Sequence, residues 1–116
     1  MDKIMEMADR LFLAIKEYEV YKDYKRAMEN IKSDKALSKR IDEFKKRHLA
    51  FVTNKKNNIY SFDEERYLSQ EYYKIILNRD AKIYFENGIV LIDMMNKIIN
   101  KLISEYTLDV FMGDEK

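Results

Sequence analysis

Hydrophobic positions along this chain recur in steps of three and four. Ile4, Ala8, Leu11, Phe12 and Ile15 fall on one stripe of a helix with 3.6 residues per turn, while Lys3, Glu6, Arg10 and Glu17 lie mostly off it. This predicts a first helix over about Asp2 to Tyr18. Glu19 and Val20 mark a bend, after which Tyr21, Tyr24, Ala27, Met28 and Ile31 resume the spacing in a second helix from Val20 to Ile31. Ser33-Asp34 reads as an N-cap, because a short side-chain oxygen there accepts from the unpaired amides of the next turn. The third helix is expected from about Lys35 to Lys55, with Leu37, Ile41, Phe44, His48 and Phe51 or Val52 on its inner face. Asn54 to Tyr60 has no apolar period and contains the turn pair Asn57-Asn58, so it reads as a loop.

Ser61-Phe62-Asp63-Glu64 matches a capping box, in which the serine bonds the Glu64 amide and the glutamate reaches back. It opens a fourth helix through about Leu77. Asn78-Arg79-Asp80 reads as a short turn, and a last helix follows from about Ala81 to Tyr106. There Tyr84, Gly88, Leu91, Met95, Ile98 and Leu102 alternate by four and three, and Phe85, Ile92, Ile99, Ile103 and Tyr106 widen the stripe. A stripe that wide exceeds what one neighbouring helix covers. Leu91, Met94, Met95, Ile98 and Leu102 are therefore the candidate face for self-association or a partner. Leu108 to Lys116 is expected to fray, leaving a single domain over residues 1–107. The pattern as a whole predicts an all-α fold, a bundle of four to five helices built from long antiparallel hairpins.

Composition agrees. There is no proline and there are only two glycines, so tight hairpin turns have little to work with. A hydrophobic share of 47%, with 13% aromatic, is too high for a disordered chain. The absence of cysteine excludes disulfides, thiolate metal sites and cysteine nucleophiles. His48 is the sole histidine, and its spacing from Phe44 and Phe51 suits a packing role at the core or its rim. Asp63-Glu64-Glu65 sits in a first helical turn, where the helix dipole favours acids without any ligand. No Gly-rich phosphate loop, Ser-His-Asp arrangement or HExxH motif is present. No catalytic, cofactor-binding or metal-binding residue is assigned, and no enzymatic activity is expected. The opening residues lack the pattern of a signal peptide, and no uncharged run approaches the ~20 residues of a membrane span, so the expected location is the cytoplasm without membrane insertion.

The net charge of +1 gives no global pull toward polyanions, but charge is unevenly spread. Residues 33–56 carry eight basic side chains against three acidic ones, and residues 57–116 carry seven against eleven. Lys39, Lys45, Lys46 and Arg47 form a candidate RNA-contact patch on the third helix, flanked by Arg40, Lys55 and Lys56. The plainer reading is that these residues solvate the outside of a long helix, with Asp42 and Glu43 interleaved. Tyr18, Tyr21 and Tyr24, three residues apart, suit the covering of a neighbouring helix better than the stacking of bases.

Three stretches carry a family resemblance: Ala14 to Ala27 (AIKEYEVYKDYKRA), Asp34-Lys35-Ala36-Leu37 followed by Ile41 to Lys45, and the amphipathic helix from Ala81 to Ile103. With them the chain resembles the YlbF/YmcA family of Firmicute regulators, and its length is most similar to the compact, cysteine-free YheA-type members. The resemblance implies a helical bundle that self-associates, commonly as a homodimer, and a cytoplasmic regulatory role. Some relatives join a complex that steers the membrane-associated endoribonuclease Y in mRNA processing, and so influence competence, sporulation and biofilm formation. Cysteine-held iron–sulfur clusters occur in some members and have no ligands here. The leading expectation is thus a non-enzymatic protein that binds protein partners and modulates RNA processing. The alternative is direct RNA binding through the basic third helix.

Overall fold

The computed structural model describes residues 2–106, the last two as backbone, and among them finds five helices and no strand: α1 (Asp2–Glu17), α2 (Glu19–Lys32), α3 (Lys35–Lys56), α4 (Phe62–Ile75) and α5 (Arg79–Tyr106). The predicted tail from Leu108 to Lys116 lies outside the described residues. Each break has a local cause. Tyr18 alone separates α1 from α2, its backbone extended at φ −67° and ψ 128°. Asp34 caps α3 by accepting the Leu37 amide at 3.1 Å, and Ser61 caps α4 by accepting that of Glu64 at 3.1 Å. Asn58 takes a left-handed φ of 63° in the loop between them, a conformation asparagine tolerates.

Two boundaries differ from the sequence reading. α4 stops at Ile75 rather than Leu77, and α5 starts at Arg79 rather than Ala81. The cause is Asn78, whose side-chain oxygen accepts the Ala81 amide at 2.9 Å and so caps α5. The capping box is also half made. Ser61 does its part, but the Glu64 carboxylate is taken by Arg47 of α3 in a two-pronged ion pair at 2.6 and 3.0 Å. A charge-assisted, bidentate pair outcompetes a single bond to a backbone amide.

The helices form two antiparallel pairs. In the α2–α5 pair, Asn30 meets Asp80 at one end, and Asn87 donates to the Val20 carbonyl at the other. In the α3–α4 pair, Arg40 meets Glu71 and Arg47 meets Glu64. The pairs join over a small core of Ile31, Ile41, Phe44, Leu68, Ile75 and Ala81, edged by Leu37, Phe51, Tyr72, Tyr84 and Phe85. Ala27 and Ala81 are 2% and 0% exposed, small side chains where helices come close. Tyr24 stacks on Tyr84 with ring centroids 5.2 Å apart, so this member of the tyrosine run covers a neighbouring helix, while Tyr18 stays exposed at the α1–α2 break.

A methyl group on Gly88 would sit 3.4 Å from the Tyr24 ring, at van der Waals contact. Glycine inside a helix costs about 0.5–1 kcal/mol relative to alanine. Gly88→Ala is therefore expected to stabilise the protein by about 0.5 kcal/mol in urea titrations. A clear loss of stability would show that Tyr24 has no room to yield.

Much of the apolar pattern is not buried within one chain. The radius of gyration is 18.7 Å, against about 13 Å for a compact domain of this length. The molecule measures 46 × 38 × 16 Å and exposes 9576 Å², against about 6,700 Å² for a compact protein of this mass. In α1, Ile4 is 65% exposed and Phe12 55%, and no residue of the helix is buried. The turn at Tyr18 leaves α1 in contact mainly with α2. His48, expected on the inner face of α3, is exposed instead. It stacks against Phe44 at 6.0 Å, one turn away, on the rim of a cleft left open among the described residues.

Candidate interaction surfaces

α2 covers only the first part of α5. Beyond its contact with Val20, α5 runs on for more than four turns. The stripe that faces α2 through Tyr84 and Gly88 continues through Leu91, Met95, Ile98 and Leu102. Leu91, Met94 and Ile98 are half-buried, while Met95 and Leu102 are exposed. The candidate face thus lies together on the unpaired half of α5. α1, of similar reach, adds exposed Ile4, Met5, Leu11 and Phe12. Its stripe was legible in the sequence, but its lack of cover within one chain was not, because periodicity tells which side is oily and not what lies opposite.

A second surface went unpredicted. The α3–α4 hairpin and α5 diverge and leave a cleft of about 820 Å³. Phe44, Leu68, Tyr72 and Phe85 form its floor, Leu49 and Ile89 its lips, with Lys45, Lys46 and His48 along the rim. Three floor rings pack edge to face or tilted on one another, Phe44 on Tyr72, Phe44 on Phe85 and Tyr72 on Phe85, at 5.5–6.0 Å.

The basic patch divides. Arg47 is held by Glu64 and lies 3.8 Å over the Tyr67 ring. Lys45 donates to the Tyr84 hydroxyl at 2.6 Å, which raises the pKa of its ammonium group. Lys39 and Lys46 are exposed and make no hydrogen bond or ion pair with a described residue. The four cations are therefore not one free surface: two of them join helices. His48 likewise has no hydrogen bond to a described residue, and no cluster of three or more metal-ligating side chains occurs among the described residues. No helix among them is long and apolar enough to cross a membrane.

The α3–α4 ion pairs set a pH response. Two-pronged hydrogen bonds from Arg47 and Arg40 hold the Glu64 and Glu71 carboxyls below their usual value of 4.5. A lowered folded-state pKa stabilises above the unfolded value, and that contribution is lost as pH falls through the folded value. The thermal midpoint is expected to be flat from pH 7 to 5 and to fall below about pH 4.5, with a shallower fall in Glu71→Gln. Both pairs are partly exposed, so their size is modest. An equally steep fall in Glu71→Gln would place the response elsewhere.

Comparison with known proteins adds an independent line. A protein of Caldicellulosiruptor saccharolyticus called UPF0342 protein is 29% identical over 106 residues, spanning 90% of this chain and 88% of its own. GTPase Der of Rickettsia prowazekii is 36% identical over 86 residues, but these are only 18% of its length. This chain, with two glycines, has no phosphate-binding loop of the GTPase kind. No solved structure matches. The family model described as control of competence regulator ComK, YlbF/YmcA, matches residues 4–106. Two antiparallel helix pairs preceded by α1, and a sequence that matches from the first helix to the end of the last, place this chain in the YlbF/YmcA family of regulators.

Proposed function

We propose that this protein is a non-enzymatic regulator that works as a homodimer, docks on protein partners, and through them modulates RNA processing by endoribonuclease Y. One observation carries the reading: the oily stripe of α5 continues for more than four turns past the end of α2, with Met95 and Leu102 43% and 52% exposed. Exposed side chains in that register match the seam of a helix pair that a single chain leaves unfilled. The surplus surface is well above the roughly 800 Å² per partner of a standard interface. Family membership supports the regulatory role, and the RNA-processing direction is taken from what the family resemblance implies.

The test is genetic. Deleting the gene should shift the 5′ ends of transcripts matured by endoribonuclease Y, and the wild-type gene should restore them. A gene carrying Met95→Asp and Leu102→Asp should fail to restore them at equal protein level. Unchanged transcript ends in the deletion strain would remove the RNA-processing part.

Direct RNA binding receives less support, because Arg47 and Lys45 are committed to Glu64 and Tyr84. Its signature would be binding that weakens steeply with salt and is lost on reversing charge at Lys39 and Lys46.

A further inference from the structure

We infer that the cleft between the α3–α4 hairpin and α5 receives an amphipathic helix with acidic flanks, carried by a partner protein. This rests on reading the chain as a protein-binding regulator, but it concerns a surface separate from the dimer face. At 100° per residue, Phe85 and Ile89 are centred about 130° around α5 from the line of Leu91, Met95, Ile98 and Leu102, with Phe85 at the edge of the widened stripe.

Shape comes first. The cleft holds about 820 Å³, and its lips are open: Leu49 is 66% exposed and Ile89 64%. A small apolar ligand binds tightly when most of its surface is enclosed. A helix needs the reverse, a trough that takes anchors at i, i+3, i+4 and i+7 and leaves its other face in water. The floor of Phe44, Leu68, Tyr72 and Phe85 supplies an apolar bed drawn from three helices.

Charge selects the partner. Lys45, Lys46 and His48 stand on the rim, and Lys46 has no partner among the described residues. The acid at the rim, Glu65, already accepts a hydrogen bond from Tyr60. Two lysines against that single acid leave the rim net basic, and a net-basic rim steers and discriminates, favouring glutamate or aspartate beside the anchors over lysine.

Single-stranded RNA shares the charge requirement but not the surface. Stacking needs free aromatic faces. Here the floor rings are used against one another, and the exposed lips are aliphatic.

The experiment uses the full chain and a fluorescent helical peptide with leucine at i, i+3, i+4 and i+7 and glutamate on both flanks. Its twin carries lysine on the flanks. Anisotropy titrations should show the glutamate peptide binding at least about tenfold tighter than the lysine peptide. Leu49→Glu and Ile89→Glu should each weaken it by about tenfold or more. Both positions are exposed lips, so helicity by circular dichroism and the sedimentation mass should match the unmodified protein. Lys46→Glu should narrow the gap between the two peptides. Failure of the glutamate peptide to bind, equal binding of both peptides, unchanged binding in both lip variants, or displacement by an oligouridine would each overturn the inference. Peptide binding by a chain that proves monomeric would sink the dimer reading and leave the cleft standing.

Discussion

Aspartate at both Met95 and Leu102 is expected to convert the protein to a monomer of 14.1 kDa without unfolding it. The two positions are two turns apart on the same side of α5, 43% and 52% exposed within one chain. Because neither is packed against its own chain's core, a charge there leaves the fold of the monomer nearly untouched. In a dimer seam each would be buried, and burying a side chain of that size stabilises by about 1.5–3 kcal/mol. Replacing both by an ion forfeits that gain and adds desolvation, so the dissociation constant should rise by about a thousandfold. Sedimentation velocity at several concentrations, with circular dichroism alongside, reads both halves of the expectation. Loss of helix together with loss of mass would mean that α5 itself depends on those side chains.

The second large effect lies in the core. Ile75, 1% exposed, ends α4 where all four packed helices α2 to α5 close on one another, beside Ile31, Ile41, Phe44, Leu68 and Ala81. Ile75→Ala removes three carbons from a site with little freedom to collapse, and should cost about 2–5 kcal/mol. Total stability for a domain of this class is about 5–15 kcal/mol, so the variant sits near the edge of folding. Its thermal midpoint should drop by roughly 10 °C or more. Ile75→Val should cost only about 0.5–1.5 kcal/mol, and the ratio of the two is the informative quantity. A loss below about 1 kcal/mol for alanine would show that the core is looser than its burial implies.

The smallness of that core explains why the two effects differ in kind. Seven hydrophobic side chains are buried among the described residues, while α1 and the later half of α5 keep most of theirs in water. Local structure was largely legible from the sequence, because helix periodicity, Asp34 and Ser61 as caps and the Asn57-Asn58 turn are all short-range signals. The shifted α4–α5 boundary depended on Asn78 choosing the Ala81 amide, one hydrogen bond that a window of hydrophobicity does not register. Glu64 illustrates the same limit at longer range. Its position in the capping box was readable, but the competing guanidinium is 17 residues back in the chain and reaches it only once α3 and α4 are antiparallel.

The candidate surfaces divide along the same line. The face of Leu91, Met94, Met95, Ile98 and Leu102 was visible as a stripe too wide for one neighbour, because width is a property of a single helix. The cleft was not visible, since Phe44, Leu68, Tyr72 and Phe85 come from three elements whose divergence no periodicity encodes. His48 took its meaning from that divergence. Its spacing is that of an inner-face residue, and it is exposed because the wall that would have covered it runs away from α3. The basic patch shows a third case, in which residues adjacent in sequence go to different tasks: Arg47 to Glu64, Lys45 to Tyr84, and Lys46 to the rim of the cleft.

A single chain of this protein is flat, and its longest helix is left half unclothed; a second copy is the simplest cover for it. Sedimentation equilibrium of the unmodified chain in the low micromolar range addresses this directly. The expected mass is roughly 28 kDa, twice the 14.1 kDa of one chain. A mass of 14.1 kDa that persists at tens of micromolar would contradict it.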